Sequence, residues 1–305
     1  MKIHLIFDFM HIYYKYFFRK GLKRLSAPID WNGTVIEKDT TLIFHPLSDI
    51  ESQRRSFESQ GNDVTVSVCF DSKSHRNDSE DSDYKSGREH RLSEEDIKNI
   101  DYIKERLAIA GHNTYKLDGF EADDLVNYIC NKYKDQYDYT VIFTNDKDLI
   151  VNVCDNVIVM RYKSVDGGYN PVRRDNYESY LEPEFKVFIP YNALGLYLAT
   201  VGDKSDHIKG INGFGPVAFK KLITKVAAKN DVNWSECGDY HKAFEVAQMC
   251  REFLTDEQYQ DMLDSFALVA NLKVEDGWLE APERKSTREM REDAYGGLRM
   301  MTLIP

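Results

Sequence analysis

The sequence lacks the features that would assign it to a membrane or secreted protein. No apolar run approaches the roughly 20 residues that a membrane-spanning helix needs. The short apolar run before Asp8 is too short for a signal peptide, and no small-residue cleavage site follows it. The chain also has no long internal repeat and no low-complexity linker. We therefore expect a folded protein that makes no membrane contact.

Cysteine is scarce, and its spacing excludes the common zinc sites. The chain has five cysteines, an odd number, and no two of them form a C-x-x-C pair. They are Cys69, Cys130, Cys154, Cys237 and Cys250. Scattered cysteines of this kind are typical of a reducing compartment, which predicts a cytoplasmic location.

Positive charge is also in short supply. The chain has 40 Lys and Arg against 51 Asp and Glu, which gives a net charge of −11. This balance alone argues against a nucleic-acid partner. The argument weakens if many acids converge on one metal site, because bound cations reverse the local field. A hydrophobic content of 42% supports a packed core in one large domain or two modest ones.

Strand-like and helix-like segments alternate along the first part of the chain. Strands are predicted at residues 2–7, 64–70, 112–117, 139–144 and 156–162. Helices are predicted at residues 40–60 and 93–111, from Glu121 onward, at 190–200 and within 230–275, whereas 21–39 are interpreted as a connection. This alternation predicts an α/β fold with a mainly parallel sheet flanked by helices.

Acidic residues follow the predicted strands at the points where those strands end. Asp8, Asp71 and Asp146 each come directly or almost directly after an apolar strand. Parallel strands place their carboxyl ends at one edge, which is where ligands bind in such sheets. Asp148 lies two residues beyond Asp146 and can face the same side in extended chain.

A denser group of acids opens the helix that starts from the same edge. Glu121, Asp123 and Asp124 lie within four residues, directly before an apolar helical run. A helix N-terminus accounts for one or two acids. Three acids that are joined by others from distant segments are better explained by divalent metal, because like charges this close repel one another.

Two more acids precede a glycine-rich turn in the second half of the chain. Asp203 and Asp206 are three apart and share a face if the turn is helical. The turn has the form G-x-x-G-x-G-P and contains Gly210, Gly213, Gly215 and Pro216. Pro216 suits the first position of a helix, and amides at a helix start can bind phosphate. Lys220 and Lys221 follow on that helix and add positive charge.

Residues 11–19 contain five aromatic side chains and allow two interpretations. They are Tyr13, Tyr14, Tyr16, Phe17 and Phe18. One interpretation is a helix that buries one aromatic face. The other is a surface on which bases stack, with Arg19 and Lys20 beside it.

Together these motifs resemble, in identity and order, those of the flap endonuclease family, also called the structure-specific 5′-nucleases. The resemblance is nearest to the bacteriophage 5′-exonuclease (RNase H) branch and covers roughly residues 1–270. The motifs are Phe7-Asp8, Phe70-Asp71, Tyr84-Lys85-Ser86-Gly87-Arg88, Glu121-Ala122-Asp123-Asp124, Thr144-Asn145-Asp146-Lys147-Asp148, Gly202-Asp203-Lys204-Ser205-Asp206 and the turn Gly210–Pro216.

The resemblance implies a PIN-like nuclease that removes flaps and RNA primers from duplex DNA with two magnesium or manganese ions. The implied metal-binding acids are Asp8, Asp71, Glu121, Asp123, Asp124, Asp146, Asp148, Asp203 and Asp206. Among them Asp71, Glu121, Asp123 and Asp146 are expected to bind the ions directly. Lys85 and Arg88 match a basic pair on a helical arch that contacts the scissile phosphate. Residues 202–226 match a helix-hairpin-helix element that grips DNA, where K⁺ can bridge the 208–216 loop to a phosphate.

The implied organisation has three parts. Residues 1–185 form the nuclease core, with the arch at about 72–110, and residues 186–275 form a helical DNA-binding region. Residues 276–305 form a tail that could dock replication proteins. The resemblance further implies a monomer in the cytoplasm, that of the host if the gene is carried by a phage.

Two other functions remain open at this stage. A PIN-type ribonuclease would usually lack the glycine turn and the arch. A non-catalytic protein that binds branched DNA would be expected to have lost some of the acids, and no acidic motif is lost here. The acidic run at residues 77–83, just before Tyr84, opposes phosphate binding and departs from the family pattern.

Overall fold

The computed structural model describes residues 1–31, 34–72, 92–163, 167–191, 193–230, 232, 240–269, 274 and 279. Its strands are β1 (Lys2–Asp8), β2 (Ser26–Trp31), β3 (Thr34–Asp39), β4 (Asp63–Cys69), β5 (Asn113–Tyr115), β6 (Tyr139–Phe143), β7 (Val157–Lys163) and β8 (Gly168–Val172). Its helices are α1 (Phe9–Phe17), α2 (Thr41–Glu58), α3 (Glu94–Ile109), α4 (Ala122–Tyr133), α5 (Tyr177–Phe185), α6 (Leu194–Val201), α7 (Pro216–Lys229), α8 (Tyr240–Met249) and α9 (Asp256–Val269).

The main sheet confirms the predicted α/β architecture. Its strand order is β5-β4-β1-β6-β7-β8. The first five strands in this order pair in parallel, and β8 adds an antiparallel edge that the sequence analysis did not predict. The five predicted strands correspond to β1, β4, β5, β6 and β7 within two residues at each end.

Residues 21–39 were interpreted as a connection, and that interpretation was wrong. β2 and β3 pair antiparallel within this stretch, with Trp31 opposite Thr34. The sequence between them is Asn32-Gly33. This dipeptide favours the two-residue turn of a β-hairpin, because both positions tolerate positive φ. Pro28 and Gly33 indicated a loop, because proline and glycine are depleted in strand interiors.

Alternate residues of the central strands pack into two separate apolar clusters. Leu5 and Phe7 of β1 belong to the cluster under α1, α2 and α3. Ile6 points the other way, into the larger cluster that includes residues of α4, α6, α7 and α9. Both faces are covered, which is why these strands are nearly continuous in apolar character.

The larger cluster contains side chains from both sides of the domain boundary predicted between residues 185 and 186. It contains Leu125 of α4 and Ile142 of β6 together with Leu196 of α6 and Phe219 of α7. The division into a core and a DNA-binding region therefore stays a prediction, and the two parts share apolar contacts. Of the arch predicted at about 72–110, residues 73–91 lie outside the described residues and most of the rest forms α3. Almost all of the 276–305 tail also lies outside the described residues.

The strand register decides which side chains meet at the carboxyl edge of the sheet. Asp8 is opposite Cys69, and Phe7 is opposite Phe143. Asp71 and Thr144 therefore emerge beside Asp8, one on each neighbouring strand. Among the described helices, none is both long enough and apolar enough to cross a bilayer.

Candidate active site

A cleft of about 1150 Å³ opens at this edge of the sheet. Five of the predicted metal-binding acids line it, namely Asp8, Asp71, Glu121, Asp123 and Asp146. They come from the ends of β1, β4 and β6 and from the start of α4, as parallel strands require. The convergence predicted from strand ends is thus present in the fold.

Asp8 lies at the centre of this arrangement and is held by two hydrogen bonds. Its Oδ2 accepts from the Thr144 hydroxyl at 2.8 Å, and its Oδ1 accepts from the His11 backbone N–H at 3.4 Å. Burial and, next, the charges of Asp71 and Asp146 raise the pKa of Asp8 to about 7, against the two hydrogen bonds that lower it. A carboxylate with this pKa is poorly compensated in the absence of a cation.

Thr144 links the acids of two neighbouring strands. It is fully buried, and its Oγ1 donates to Asp8 while accepting from the Asp146 backbone N–H at 2.9 Å. Asp146 Oδ1 in turn accepts from the Asp148 backbone N–H at 2.9 Å. The loop after β6 therefore has its shape set by hydrogen bonds to the site residues themselves.

The start of α4 is tied to the end of β4. Asp71 Oδ1 accepts from the Ala122 backbone N–H at 2.6 Å, which satisfies one of the free donors at the helix N-terminus. Asp124 is fully buried, and its Oδ2 accepts from the Glu121 backbone N–H at 3.1 Å. Asp124 thus caps the helix in addition to joining the acid group.

The predicted acids form two compact groups that could each hold a cation. In the first acid group, Glu121, Asp123 and Asp124 place carboxylate oxygens within 4.8 Å of one another. In the second acid group, Asp148, Asp203 and Asp206 do the same. The second group joins the loop after β6 to the loop after α6, which lie far apart in the sequence.

The second acid group contains opposing electrostatic effects. Burial, and then the charges of Asp146, Asp206 and Asp203, raise the pKa of Asp148 well above its usual value. Burial also opposes ionisation of Asp203, but the nearby Lys147 ammonium and hydrogen bonds from Ser205 outweigh it and lower the pKa of that carboxyl. Asp203 Oδ1 accepts from Ser205 N–H at 2.9 Å and from its hydroxyl at 2.6 Å.

The residues present fit a hard divalent cation. Their ligand atoms are all carboxylate oxygens, which magnesium and manganese prefer. Asp148 Oδ1 is buried and makes no hydrogen bond. A buried carboxylate oxygen without a partner is costly unless a cation binds it. The Asp148 oxygen is therefore suited to bind a cation.

Aromatic and basic residues also line the cleft. Tyr14 and Phe18 line the cleft with their rings stacked at 5.5 Å, and Phe18 is 52% exposed. Tyr13, on the other side of α1, is fully buried and donates to Asp96. Helix α1 therefore buries one aromatic face, as one interpretation predicted, and also exposes aromatic rings beside the cleft.

Lys15 lines the same cleft but is committed to an internal ion pair. Its Nζ lies 2.8 Å from Asp49 Oδ2, and both side chains are less than one-tenth exposed. The ammonium also lies 4.1 Å from the ring centre of Tyr162 and 4.7 Å from that of Tyr169. Burial, then the charge of Lys15, lowers the pKa of His11 to about 4, so His11 is neutral near pH 7.

The glycine turn leads into α7 as the sequence predicted. Gly213 has φ +74°, and Gly215 is the residue before the first turn, with Pro216 in that turn. Lys220 and Lys221 are exposed on α7. Gly210 differs from the other two glycines because it is buried and its N–H donates to Ser265 Oγ at 3.1 Å.

Lys85 and Arg88, the predicted arch residues, lie outside the described residues. Thr144 and Lys147 belong to a motif recognised in the sequence, but neither was predicted to have a role in the site. Thr144 ends a predicted strand and lies two residues before Asp146. A threonine at such a position can accept a hydrogen bond from the backbone N–H two residues later, which could have predicted its role. No local signal pointed to Lys147, because its partner Asp203 is distant in the chain.

The sequence matches one known protein family over more than half of its length. Residues 3–180 match the model for the 5′-3′ exonuclease N-terminal resolvase-like domain. The chain belongs to that family.

Curated relatives of the family align with part of the chain. The 5′-3′ exonuclease of Aquifex aeolicus is 32% identical over 140 residues, 45% of each chain. The Bacillus subtilis 5′-3′ exonuclease is 27% identical over 221 residues, 72% of this chain and 69% of the relative. DNA polymerase I of Treponema pallidum is 32% identical over 140 residues, which is 46% of this chain and 13% of the polymerase.

Solved structures share the fold at low sequence identity. The T5 D15 protein crystallised with metal ions superposes with a TM-score of 0.57 at 16% identity, covering 98% of this chain and 99% of that one. A complex of the bacteriophage T5 D15 flap endonuclease with DNA and metal ions gives a TM-score of 0.55 at 17% identity, covering 96% and 99%. Similarity at this identity shows the fold alone.

Proposed function

We propose that this protein is a metal-dependent 5′-nuclease that hydrolyses phosphodiester bonds at flaps, nicks or RNA primers on duplex DNA. The observation that carries the proposal is the presence of two groups of carboxylates, one of them at the sheet edge, with a buried Asp148 oxygen in the other that has no hydrogen-bond partner. Family membership and the names of the relatives support it. The DNA and metal ions of the T5 structure are the ligands this proposal expects.

The residues of the first acid group and the cleft would hold one ion, and those of the second acid group would hold another. Two magnesium or manganese ions, when bound, supply an activated water and stabilise both the attacking and the leaving oxygens of an in-line displacement. Asp71, Glu121, Asp123 and Asp146 are the proposed nearest ligands. Asp8, Asp124, Asp148, Asp203 and Asp206 are proposed to bind the ions directly or through water. Thr144 fixes Asp8 and Asp146 relative to each other, and the Ala122 amide fixes Asp71.

The chain's other residues would position DNA over that edge. The amides around Gly213 and Gly215 and the α7 lysines Lys220 and Lys221 are proposed to hold a duplex phosphate, with K⁺ at the 208–216 loop. Lys85 and Arg88 are proposed to contact the scissile phosphate from an arch. A ribonuclease or a non-catalytic DNA binder is less well supported, because the predicted acids converge and the glycine turn leads into α7.

The proposal is tested by removing one charge at the cleft. Asp146→Asn keeps the size and one acceptor oxygen of the side chain but removes a proposed metal ligand. We expect Asp146→Asn, and likewise Asp123→Asn, to fold normally and to lose cleavage of labelled flap, nicked and RNA-primed duplexes in magnesium. Loss of 10²-fold or more is the order expected for removing one preorganised electrostatic contribution.

The matched control is Asp135→Asn, an exposed residue in the short 3-10 helix Lys134–Gln136 that directly follows α4. It removes the same charge from the same part of the chain without touching the cleft. Wild-type turnover by Asp146→Asn in magnesium, measured beside an unaffected control, would contradict the nuclease site. Equal cleavage by wild type with EDTA and with magnesium would contradict metal dependence.

A further inference from the structure

Lys147 is the cation that lies within the second acid group. Its Nζ is 2.6 Å from Asp203 Oδ2 and 3.3 Å from Ser205 Oγ. The Asp203 side chain is only 4% exposed and that of Lys147 is 22% exposed, so water screens this pair weakly. Asp148 and Asp206 also interact electrostatically with the Lys147 ammonium.

The ion pair joins two distant parts of the chain. Lys147 follows β6, between Asp146 and Asp148, whereas Asp203 opens the loop between α6 and α7. Reciprocal backbone hydrogen bonds of 2.8 Å between Asp203 and Ile208 close that loop. Lys147 therefore connects the edge of the sheet to the segment that leads to the proposed DNA-binding turn.

One ammonium balances only part of the charge in this group. Three carboxylates with oxygens within 4.8 Å repel one another, and Lys147 supplies a single opposing charge. A divalent ion entering the group would compete with Lys147 for Asp203 and would be repelled by the ammonium at short range. The same ammonium keeps the group together when no ion is bound.

We infer that Lys147 is an internal counter-cation of the second acid group, which stabilises the metal-free protein and weakens the binding of a second divalent ion. This inference rests on the proposed two-ion function. It assigns to Lys147 a positioning role, because Lys147 acts through Asp203. It also predicts that the two acid groups differ in their affinity for metal.

The test is direct measurement of Mn²⁺ binding in the absence of DNA. Calorimetry and electron paramagnetic resonance count the ions and give both dissociation constants for wild type and for Lys147→Met, which keeps the length of the side chain without its charge. We expect the second ion to bind Lys147→Met at least about tenfold more tightly, since removing a repelling charge at this range has that order of effect. The first dissociation constant should not change.

A second measurement compares thermal unfolding with EDTA and with Mn²⁺. Metal-free Lys147→Met should melt at a lower temperature than wild type, and saturating Mn²⁺ should raise its melting temperature by more. Lys147→Arg retains the charge and should behave as wild type in both measurements. Lys204→Met removes an exposed lysine next to Asp203 and should change neither.

The outcomes separate this inference from the proposed function. If the second affinity is unchanged or weaker in Lys147→Met, while Asp203→Asn still loses one ion, the role of Lys147 is overturned and the two-ion function stands. If Asp203→Asn binds as many ions as wild type, both are overturned. Tighter second binding by the charge-retaining Lys147→Arg would also overturn the role of Lys147.

Discussion

At the scale of single residues, Asp8 shows how the site sets charge against burial. Its carboxyl group ends a buried strand and faces two further acids, which together with burial raises its pKa to about 7. Thr144 and the His11 amide hold it in place without neutralising it. In the metal-free protein its ionisation near neutral pH therefore costs stability.

This cost predicts a pH dependence of the metal-free protein. The folded state keeps the Asp8 proton up to about pH 7, whereas the unfolded chain releases it near pH 3.8. The native state thus binds more protons across this window, so the free energy of unfolding should fall as pH rises from about 4 to 7. Asp8→Asn keeps an acceptor for Thr144 but cannot ionise, and should lose much of this fall.

Thermal unfolding in EDTA at a series of pH values measures the effect. Above pH 7 we expect a higher melting temperature for Asp8→Asn than for wild type. The raised pKa of Asp148 should leave some dependence of stability on pH in the variant. Exposed Asp135→Asn is the control, and an Asp8→Asn profile parallel to that of wild type would contradict the assignment.

At the scale of elements, the loop after α6 depends on two glycines that cross at close range. Gly202 has φ +87°, and an added Cβ would lie 2.6 Å from the Ile208 carbonyl oxygen. Gly210 has φ +67°, and its Cβ would lie 2.5 Å from the Gly202 nitrogen. This crossing holds Asp203 and Asp206 against the loop after β6, so it supports the second acid group.

Gly202→Ala should therefore destabilise the protein more than a glycine-to-alanine substitution at a site that has a positive φ but no close neighbours. Gly61 has φ +80° with nothing within 4 Å of an added Cβ, so Gly61→Ala should cost about 1–2 kcal/mol. Gly202→Ala should cost a further ~1–3 kcal/mol, because backbone must move and because φ +87° with ψ 168° is a conformation that is essentially restricted to glycine. Denaturant unfolding of both variants measures the difference, and equal costs would show that the crossing relaxes freely.

The start of α7 gives a second test at this scale. Gly215 has φ −128° and ψ −178°, which other residues adopt, and nothing lies within 4 Å of an added Cβ. Gly215→Val should therefore fold normally and yet weaken binding to nicked duplex about tenfold, which is 1.4 kcal/mol, by blocking the approach of a phosphate. Fluorescence polarisation measures the affinity.

Ala227→Val adds similar bulk at an exposed position near the other end of α7 and serves as the control. It should bind duplex as wild type does. If Gly215→Val also binds normally, the turn positions the chain and does not seat a phosphate.

At the scale of the whole molecule, the net charge of −11 and the proposed DNA partner are compatible because of where the acids lie. Five of the predicted metal-binding acids line the cleft at the edge of the sheet, and the other four belong to the two acid groups, where bound cations would reverse the local field. Exposed lysines such as Lys220 and Lys221 lie on a separate helix. Overall charge is therefore a poor guide to partners when acids are pooled in one site.

The continuous apolar cluster makes a prediction about cooperativity. Leu196, Phe219 and Phe266 pack in the same cluster as the β6 side chain of Ile142. Burial of each such side chain contributes about 1.5–3 kcal/mol, and a domain is stable by only about 5–15 kcal/mol in total. We expect the full chain to unfold in one transition and a fragment of residues 1–185 not to fold alone.

Circular dichroism and calorimetry on both chains test this prediction. A cooperative transition in the fragment, or two separate transitions in the full chain, would show that the division at 185/186 marks independent domains.

The sequence by itself determined the parallel sheet and the acids at its edge. Strand periodicity and the acid that follows each strand are local patterns, so Asp8, Asp71 and Asp146 could be placed before any contact was known. The helix start at Glu121 and the turn before Pro216 were also local signals. The β2–β3 hairpin also had a local signal in Asn32-Gly33, but Pro28 and Gly33 were interpreted as marks of a connection.

Only the tertiary structure decided how the acids are grouped. Asp148 and Asp203 join one group through a contact between loops far apart in the chain, and no periodicity encodes such a contact. The same holds for Lys147 beside Asp203, for Thr144 between Asp8 and Asp146, and for the crossing of Gly202 and Gly210. Local patterns determine elements because the backbone's hydrogen bonding and side-chain period are local, whereas pairing between loops depends on how the completed elements pack.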